Sequence, residues 1–303
     1  MALVGLATFF VGWPWLWFDP VNHFWEYFAQ TTDRATLPVW YMGQAWADKD
    51  VPWHYPWITT FATTPLVLLR LAVWGLFGGA PKAWRDPRFQ LITGGILTPL
   101  VVFSLPGVAV YDGSRLFLVI FPLLALLIGH GAQLAWNIFQ PRVGTRAALL
   151  LASLALAGPL LTLATTRPAY LSAYSWSVGG LAGADALGFE RNYWADALTT
   201  DLVTQAVESI PEGGTLAIAP ILHPFQLDDI RTQTPLIRAR NLRLVEFGTP
   251  ESQNADGLLV YERRASLPPS LVSELARRTP RFILARQGVT LAVFYDELPP
   301  STP

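Results

Sequence analysis

Two short stretches carry residue types that can handle an anion. Tyr111-Asp112-Gly113-Ser114-Arg115 places a phenol, a carboxylate and a guanidinium close together in the chain. A guanidinium grips phosphate with a planar fork of donors, and partial desolvation strengthens such a pairing. In that arrangement Arg115 holds the anion, Tyr111 donates to one of its oxygens and Asp112 orients Arg115. The same residues equally make a tight turn closed by a surface ion pair, and composition leaves both readings open. Trp53-His54-Tyr55 is the second stretch. His54 can bind phosphate, relay a proton or ligate a metal, or be an interfacial histidine among anchoring aromatics. Trp53 and Tyr55, with Trp57, suit an aromatic belt at a membrane boundary, and also a platform on which a sugar stacks. The stretch 170–176 carries the same ambiguity.

The elements that must position these residues fall into two bodies. Only 14% of the 303 residues are charged, against 52% hydrophobic, where a soluble domain has about 25% charged. The deficit is steepest in residues 1–166, and residues 167–303 read as an ordinary soluble domain. A net charge of −1 gives no reason to expect nucleic acid as a partner. The absence of Cys excludes disulfides, thiolate metal sites and cysteine nucleophiles. The four histidines are widely separated and form no metal motif.

A helix needs about 20 apolar residues to cross a bilayer. Five segments qualify: 1–18, 57–79, 89–110, 115–138 and 147–166. The first has no basic residue over 1–8, which argues for a span rather than a signal peptide. The loop 80–88 carries Lys82, Arg85 and Arg88, and the loop 140–146 carries Arg142 and Arg146, so both belong on the cytoplasmic side. The 111–115 turn, the acidic loop 19–56 with Asp33 and Arg34, and the domain 167–303 then lie outside. Arg70, inside the second span, is expected to have a buried partner.

Within the outer loop, 19–30 reads as a helix, capped by Asp19, opened by Pro20 and striped by Val21, Phe24, Trp25 and Phe28, which either lies in the membrane interface or packs on the protein. In the soluble domain, 214–220, 242–248 and 257–264 read as strands. Residues 281–286 and 289–295 read as a hairpin turning at Gln287-Gly288. Helices are expected over 193–210 and 269–278, and 299–303 is a frayed tail. The fold class expected is a polytopic α-helical membrane protein of about five spans with a C-terminal extracytoplasmic α/β domain.

Several patterns together carry a resemblance: Trp13-Pro14-Trp15-Leu16-Trp17-Phe18-Asp19-Pro20, Pro52-Trp53-His54-Tyr55-Pro56, Thr63-Thr64-Pro65, Tyr111-Asp112-Gly113-Ser114-Arg115, and Gly188-Phe189-Glu190 with Tyr193-Trp194. In this order and spacing the chain resembles the C-terminal half of bacterial membrane glycosyltransferases of the GT-C class. These are similar to protein O-mannosyltransferases and the lipid A aminoarabinose transferase. The resemblance runs from about Gly12 to Tyr295. It implies transfer of a mannose-type sugar from a polyprenyl-phosphate donor to an acceptor, outside the bacterial inner membrane, usually with a divalent cation assisting. On that basis Arg115, Tyr111, Asp112 and His54 receive the lipid phosphate, and Trp53 and Tyr55 meet sugar or lipid. The family's catalytic carboxylates lie in a first outer loop with no counterpart here. The resemblance therefore implies an N-terminally truncated member, with no catalytic residue to assign. The alternative is a non-catalytic membrane protein that binds the lipid carrier or assembles with a partner through the same surface.

Overall fold

The computed structural model describes residues 2–32, 35–78 and 83–298; Asp33, Arg34, Lys82 and the expected tail at 299–303 lie outside them. The chain divides into two compact units, Met1–Leu37 and Pro38–Pro303.

The first unit contains α1 (Ala2–Gly12), α2 (Trp15–Phe18) and α3 (Pro20–Thr32). The expected span 1–18 is interrupted at Trp13-Pro14, where proline supplies no amide to the helix. The Trp15 ring stacks on His23 at 4.2 Å, and the His23 Nδ1 pairs with the Trp15 carbonyl at 2.7 Å. This contact folds α2 back onto α3. Asp19 caps α3 as expected: its Oδ1 accepts from the Asn22 amide at 3.3 Å and its Oδ2 from Asn22 Nδ2 at 2.7 Å. Val21, Phe24 and Trp25 form the exposed apolar stripe.

The second unit opens with a hairpin absent from the sequence expectation, β1 (Pro38–Tyr41) against β2 (Gln44–Ala47). It turns at Met42-Gly43, both at positive φ, and the lone Gly43 was its only sequence signal. Helices α4 (Tyr55–Thr63), α5 (Leu66–Phe77), α6 (Pro87–Val102), α7 (Ile120–Val143) and α8 (Thr145–Thr166) follow. Among the described residues α7 and α8 are long and apolar enough to cross a membrane, and α4 with α5 makes a third such segment if the bent pair is one span. The straight span expected at 57–79 is corrected: α4 and α5 meet at 117°. Pro65 drives the preceding residue out of the helical region, and Thr64 is extended with ψ 128°. The expected 115–138 segment begins later, because Arg115–Phe117 forms a separate single turn.

α5 and α7 pack backbone to backbone. A Cβ at Gly75 would meet the Leu127 carbonyl, and one at Gly131 would meet the Leu71 carbonyl. Small residues serve helix pairs in this way where no hydrophobic drive separates side chain from solvent. Arg70 is exposed on α5 and has no ion pair among the described residues, so the expected buried partner is not found.

The change of architecture after α8 lies inside this second unit. A five-stranded sheet runs in the order β4-β3-β5-β7-β6, comprising β3 (Thr215–Ala219), β4 (Arg243–Glu246), β5 (Gly257–Tyr261), β6 (Phe282–Arg286) and β7 (Val289–Tyr295). β4, β3 and β5 are parallel; β7 and β6 are antiparallel. The three strand segments and the hairpin read from sequence are all present. Ala217, Ala219, Leu258, Val260 and Val293 bury one face with Leu271 and Leu275 of α13 (Pro269–Leu275). Leu216, Ile218, Leu259 and Phe294 bury the other with Val203, Ala206 and Val207 of α10 (Thr200–Ser209). The helix expected from 193 starts only at α10. Thr199 caps it by accepting from the Leu202 amide at 3.3 Å, while Trp194 and Ala195 sit at φ 55° and 61°, outside any right-handed helix. Helices α9 (Gly180–Ala186), α11 (Phe225–Gln233) and α12 (Pro235–Ala239) complete the unit.

Candidate functional site

The 111–115 turn links α6 to α7. Asp112 and Gly113 both adopt left-handed backbone, at φ 55° and 65°. The Gly113 amide donates to the Tyr55 hydroxyl at 3.0 Å, which fixes the turn from below. Three donors converge on the Asp112 carboxylate: Arg115 Nη1 at 3.2 Å, Trp194 Nε1 at 2.8 Å and Arg263 Nη2 at 2.9 Å. Arg115 lies over the Trp194 ring, 4.7 Å from its centroid, and 5.7 Å from that of Tyr111. Its side chain keeps 46% exposure while Asp112 keeps 7%. Arg115 therefore borders a groove of about 160 Å³ lined also by Thr59, Thr63, Leu118, Leu171 and Trp194.

A second layer sets the position of Arg263. The buried Glu190 carboxylate accepts backbone amides of Arg191 at 3.0 Å, Arg264 at 2.8 Å and Ala265 at 2.9 Å. This pins the chain leaving β5, so that Arg263 points at Asp112. Burial pushes the Glu190 carboxyl up to about 7, against the pull of those three amides and of Arg263. Tyr174 donates to the Glu190 carbonyl at 2.7 Å. Tyr193 lies by the hydroxyls of Tyr55 and Tyr174, and burial holds the Tyr174 and Tyr193 phenols well above their ordinary range, so both stay neutral. Arg191 adds paired bonds to Asp185 at 2.6 and 3.0 Å and one to Glu262 at 3.2 Å. These ion pairs fasten α9 to the end of β5.

The structure brings Tyr111, Asp112 and Arg115 together, as the turn implied. His54 is occupied otherwise: its Nδ1 pairs with the Tyr41 hydroxyl at 2.8 Å, and it does not line the Arg115 groove. Trp53 is 66% exposed and packs edge-on against His54. Tyr55 is 2% exposed, which corrects its expected place at a sugar or membrane surface: it is a buried prop under Gly113. Arg263, Trp194 and Glu190 were not assigned roles from the sequence. Glu190 and Trp194 lay inside the motifs that carry the resemblance. Arg263 had no signal beyond its place two residues past a buried strand.

Comparison with protein-family models, with curated proteins and with solved structures gives no match. The divalent cation implied by the resemblance does not fit the residues described. No three His, Asp or Glu side chains converge among them, and Asp112 is spent on two arginines and a tryptophan.

Proposed function

We propose that this chain is part of a bacterial membrane glycosyltransferase of the GT-C type, and that the Arg115 turn binds the phosphate of a polyprenyl-phosphate-linked sugar. The observation that carries this reading is the sharing of Asp112. One carboxylate holds both Arg115 and Arg263, so the cluster keeps a net positive charge and Arg115 remains open to the groove. Thr59 and Thr63 hydroxyls beside Leu118 and Leu171 suit a phosphate carried on an isoprenoid chain. Depth favours it too, because an anion at a bilayer surface is partly desolvated and pairs more strongly there.

Sidedness follows from charge. α7 and α8 are joined at Gly144, and Arg142 and Arg146 flank that corner, at the far end of α7 from the Arg115 turn. Arg85 and Arg88 lie at the matching end of α6. Basic corners belong in the cytoplasm, and on that rule we read the Arg115 turn and residues 167–303 as extracytoplasmic, the side on which the donor is used. A second reading, a lipid-carrier-binding subunit without transfer chemistry of its own, is favoured by one observation: the only carboxylate lining the groove, Asp112, is fully engaged.

The test is binding of polyprenyl phosphate to the purified chain in lipid nanodiscs. Arg115→Lys keeps the charge and loses the fork, and should weaken binding. Arg115→Ala should weaken it further, by about 1.5–3 kcal/mol for a lost charged hydrogen bond. Unchanged binding in both variants would assign Arg115 to the turn alone.

A further inference from the structure

A cleft of about 590 Å³ lies beyond the Arg115 groove and shares Trp194 with it. Its place in the fold is specific. The chain leaves β3 towards β4 on one side and leaves β5 towards β6 and β7 on the other, so the strand order reverses between β3 and β5. In open α/β sheets a crevice forms at that reversal, outside the carboxyl ends of the strands, and ligands bind there. Ile221, just past the end of β3, and Tyr261, the last residue of β5, both line this cleft.

Two polar groups in the cleft wall are buried. Tyr261 is 0% exposed, and its hydroxyl lies against the Gln226 side chain. Neighbouring Gln226 has its carboxamide oxygen already engaged by the amides of Leu222 and His223, at 2.6 and 2.9 Å. Asp196 uses Oδ2 to accept the Leu171 amide at 2.8 Å, and its own backbone amide also lies against the carboxylate.

The rest of the lining narrows the chemistry. Asp201 and Asp229 add two exposed carboxylates, and no Lys or Arg lines the cleft. An anionic ligand is therefore disfavoured. The acidic groups do not converge as metal ligands do. Trp194 offers a half-exposed indole held at φ 55°, a conformation that a bulky residue keeps only where its surroundings enforce it. Its Nε1 bond to Asp112 and the Arg115 guanidinium over its ring are those surroundings.

From carboxylate and hydroxyl acceptors, an aromatic face and no cation, we infer that the cleft at the β3/β5 reversal binds a saccharide without acidic groups. Saccharide binding stands on the cleft alone. Its further assignment, as the acceptor subsite next to the donor lipid, rests on the function proposed above.

The experiment is saturation-transfer NMR on the full chain in lipid nanodiscs, which keeps glycoside detergents out of the cleft. The probes are methyl glucoside, N-acetylglucosamine and glucosamine, with glucuronate as the anionic control. Saturation of at least one of the first three at millimolar concentration is expected, with none for glucuronate. Asp229→Asn combined with Asp201→Asn alters only exposed side chains and should weaken binding about tenfold. Failure of all three sugars to bind, or equal binding of glucuronate, overturns the inference. If polyprenyl phosphate still binds in that case, the Arg115 reading stands and only the cleft is misassigned.

Discussion

Arg263 Nη2 donates to Asp112 Oδ1 at 2.9 Å, and each side chain is only 7% exposed. The contact ties the carboxyl end of β5 to the turn ahead of α7. Its two ends are not equivalent. Asp112 retains Arg115 and Trp194 if Arg263 is lost, whereas Arg263 makes no other hydrogen bond among the described residues and keeps only the charge of Glu190 nearby, its Nε and Nη1 being unsatisfied. Arg263→Ala should therefore cost about 1–3 kcal/mol, and Asp112→Ala, which strands a buried guanidinium, about 3–5 kcal/mol. Unfolding of both variants, followed in the same lipid or detergent, checks the order; a larger loss for Arg263→Ala would refute this account.

The buried Glu190 predicts a pH dependence of stability. Its carboxyl moves from an ordinary 4.5 in the unfolded chain up to about 7 in the folded one, chiefly through burial. The folded state then binds the proton more tightly. Stability is highest with Glu190 protonated, and it falls as pH rises from about 4.5 to about 7. The full effect of such a shift is on the order of 3 kcal/mol. Glu190→Gln cannot ionise, so the difference between wild type and variant should shift across that window. Parallel pH profiles for the two proteins would count against a titrating Glu190.

The proposed sidedness makes a separate prediction, independent of any ligand. A reporter fused after Asp296 should be active only outside the cytoplasm, and one fused at Gly144 only inside. The motive is the placement of Arg142 and Arg146 around the corner between α7 and α8. Reversed activities would remove both the topology and the donor-lipid reading, since that donor is used outside.

Periodicity and turn chemistry made the sheet legible. β3, β5 and β7 are buried runs bounded by glycine or proline, and Gln287-Gly288 sits at positive φ, as a tight hairpin requires. The helical segment was harder to read, because hydropathy measures apolar length and cannot sense a bend. Thr64-Pro65 breaks an otherwise continuous apolar run. Asp112 and Arg115 were legible because they are near neighbours in sequence. Arg263 and Glu190 were not, because their roles depend on contacts reaching 151 and 75 residues along the chain, and no local pattern encodes such a separation.

The close approach of α5 and α7 gives a matched pair of substitutions within one helix. Gly131 faces α5, and a Cβ there would fall 1.9 Å from the Leu71 carbonyl oxygen and 2.9 Å from the Gly75 amide nitrogen. Both obstacles are backbone, so no side chain can swing aside and the helices must separate. Gly129, one step round the same helix, has nothing within 4 Å of its added Cβ. Alanine at either position gains about 0.8–1.0 kcal/mol of helix propensity over glycine. At Gly129 that gain is unopposed, and Gly129→Ala should be neutral or stabilising. At Gly131 it is outweighed by overpacking, which typically costs 1–3 kcal/mol. Leucine at Gly131 should be worse again. Because α7 also carries the residues that follow the Arg115 turn, displacing it should loosen the groove, and Gly131→Ala should weaken polyprenyl phosphate binding where Gly129→Ala does not. The measurement is thermal unfolding of both variants alongside the binding assay. Equal stability for the two would mean that the α5–α7 contact is looser than its geometry implies.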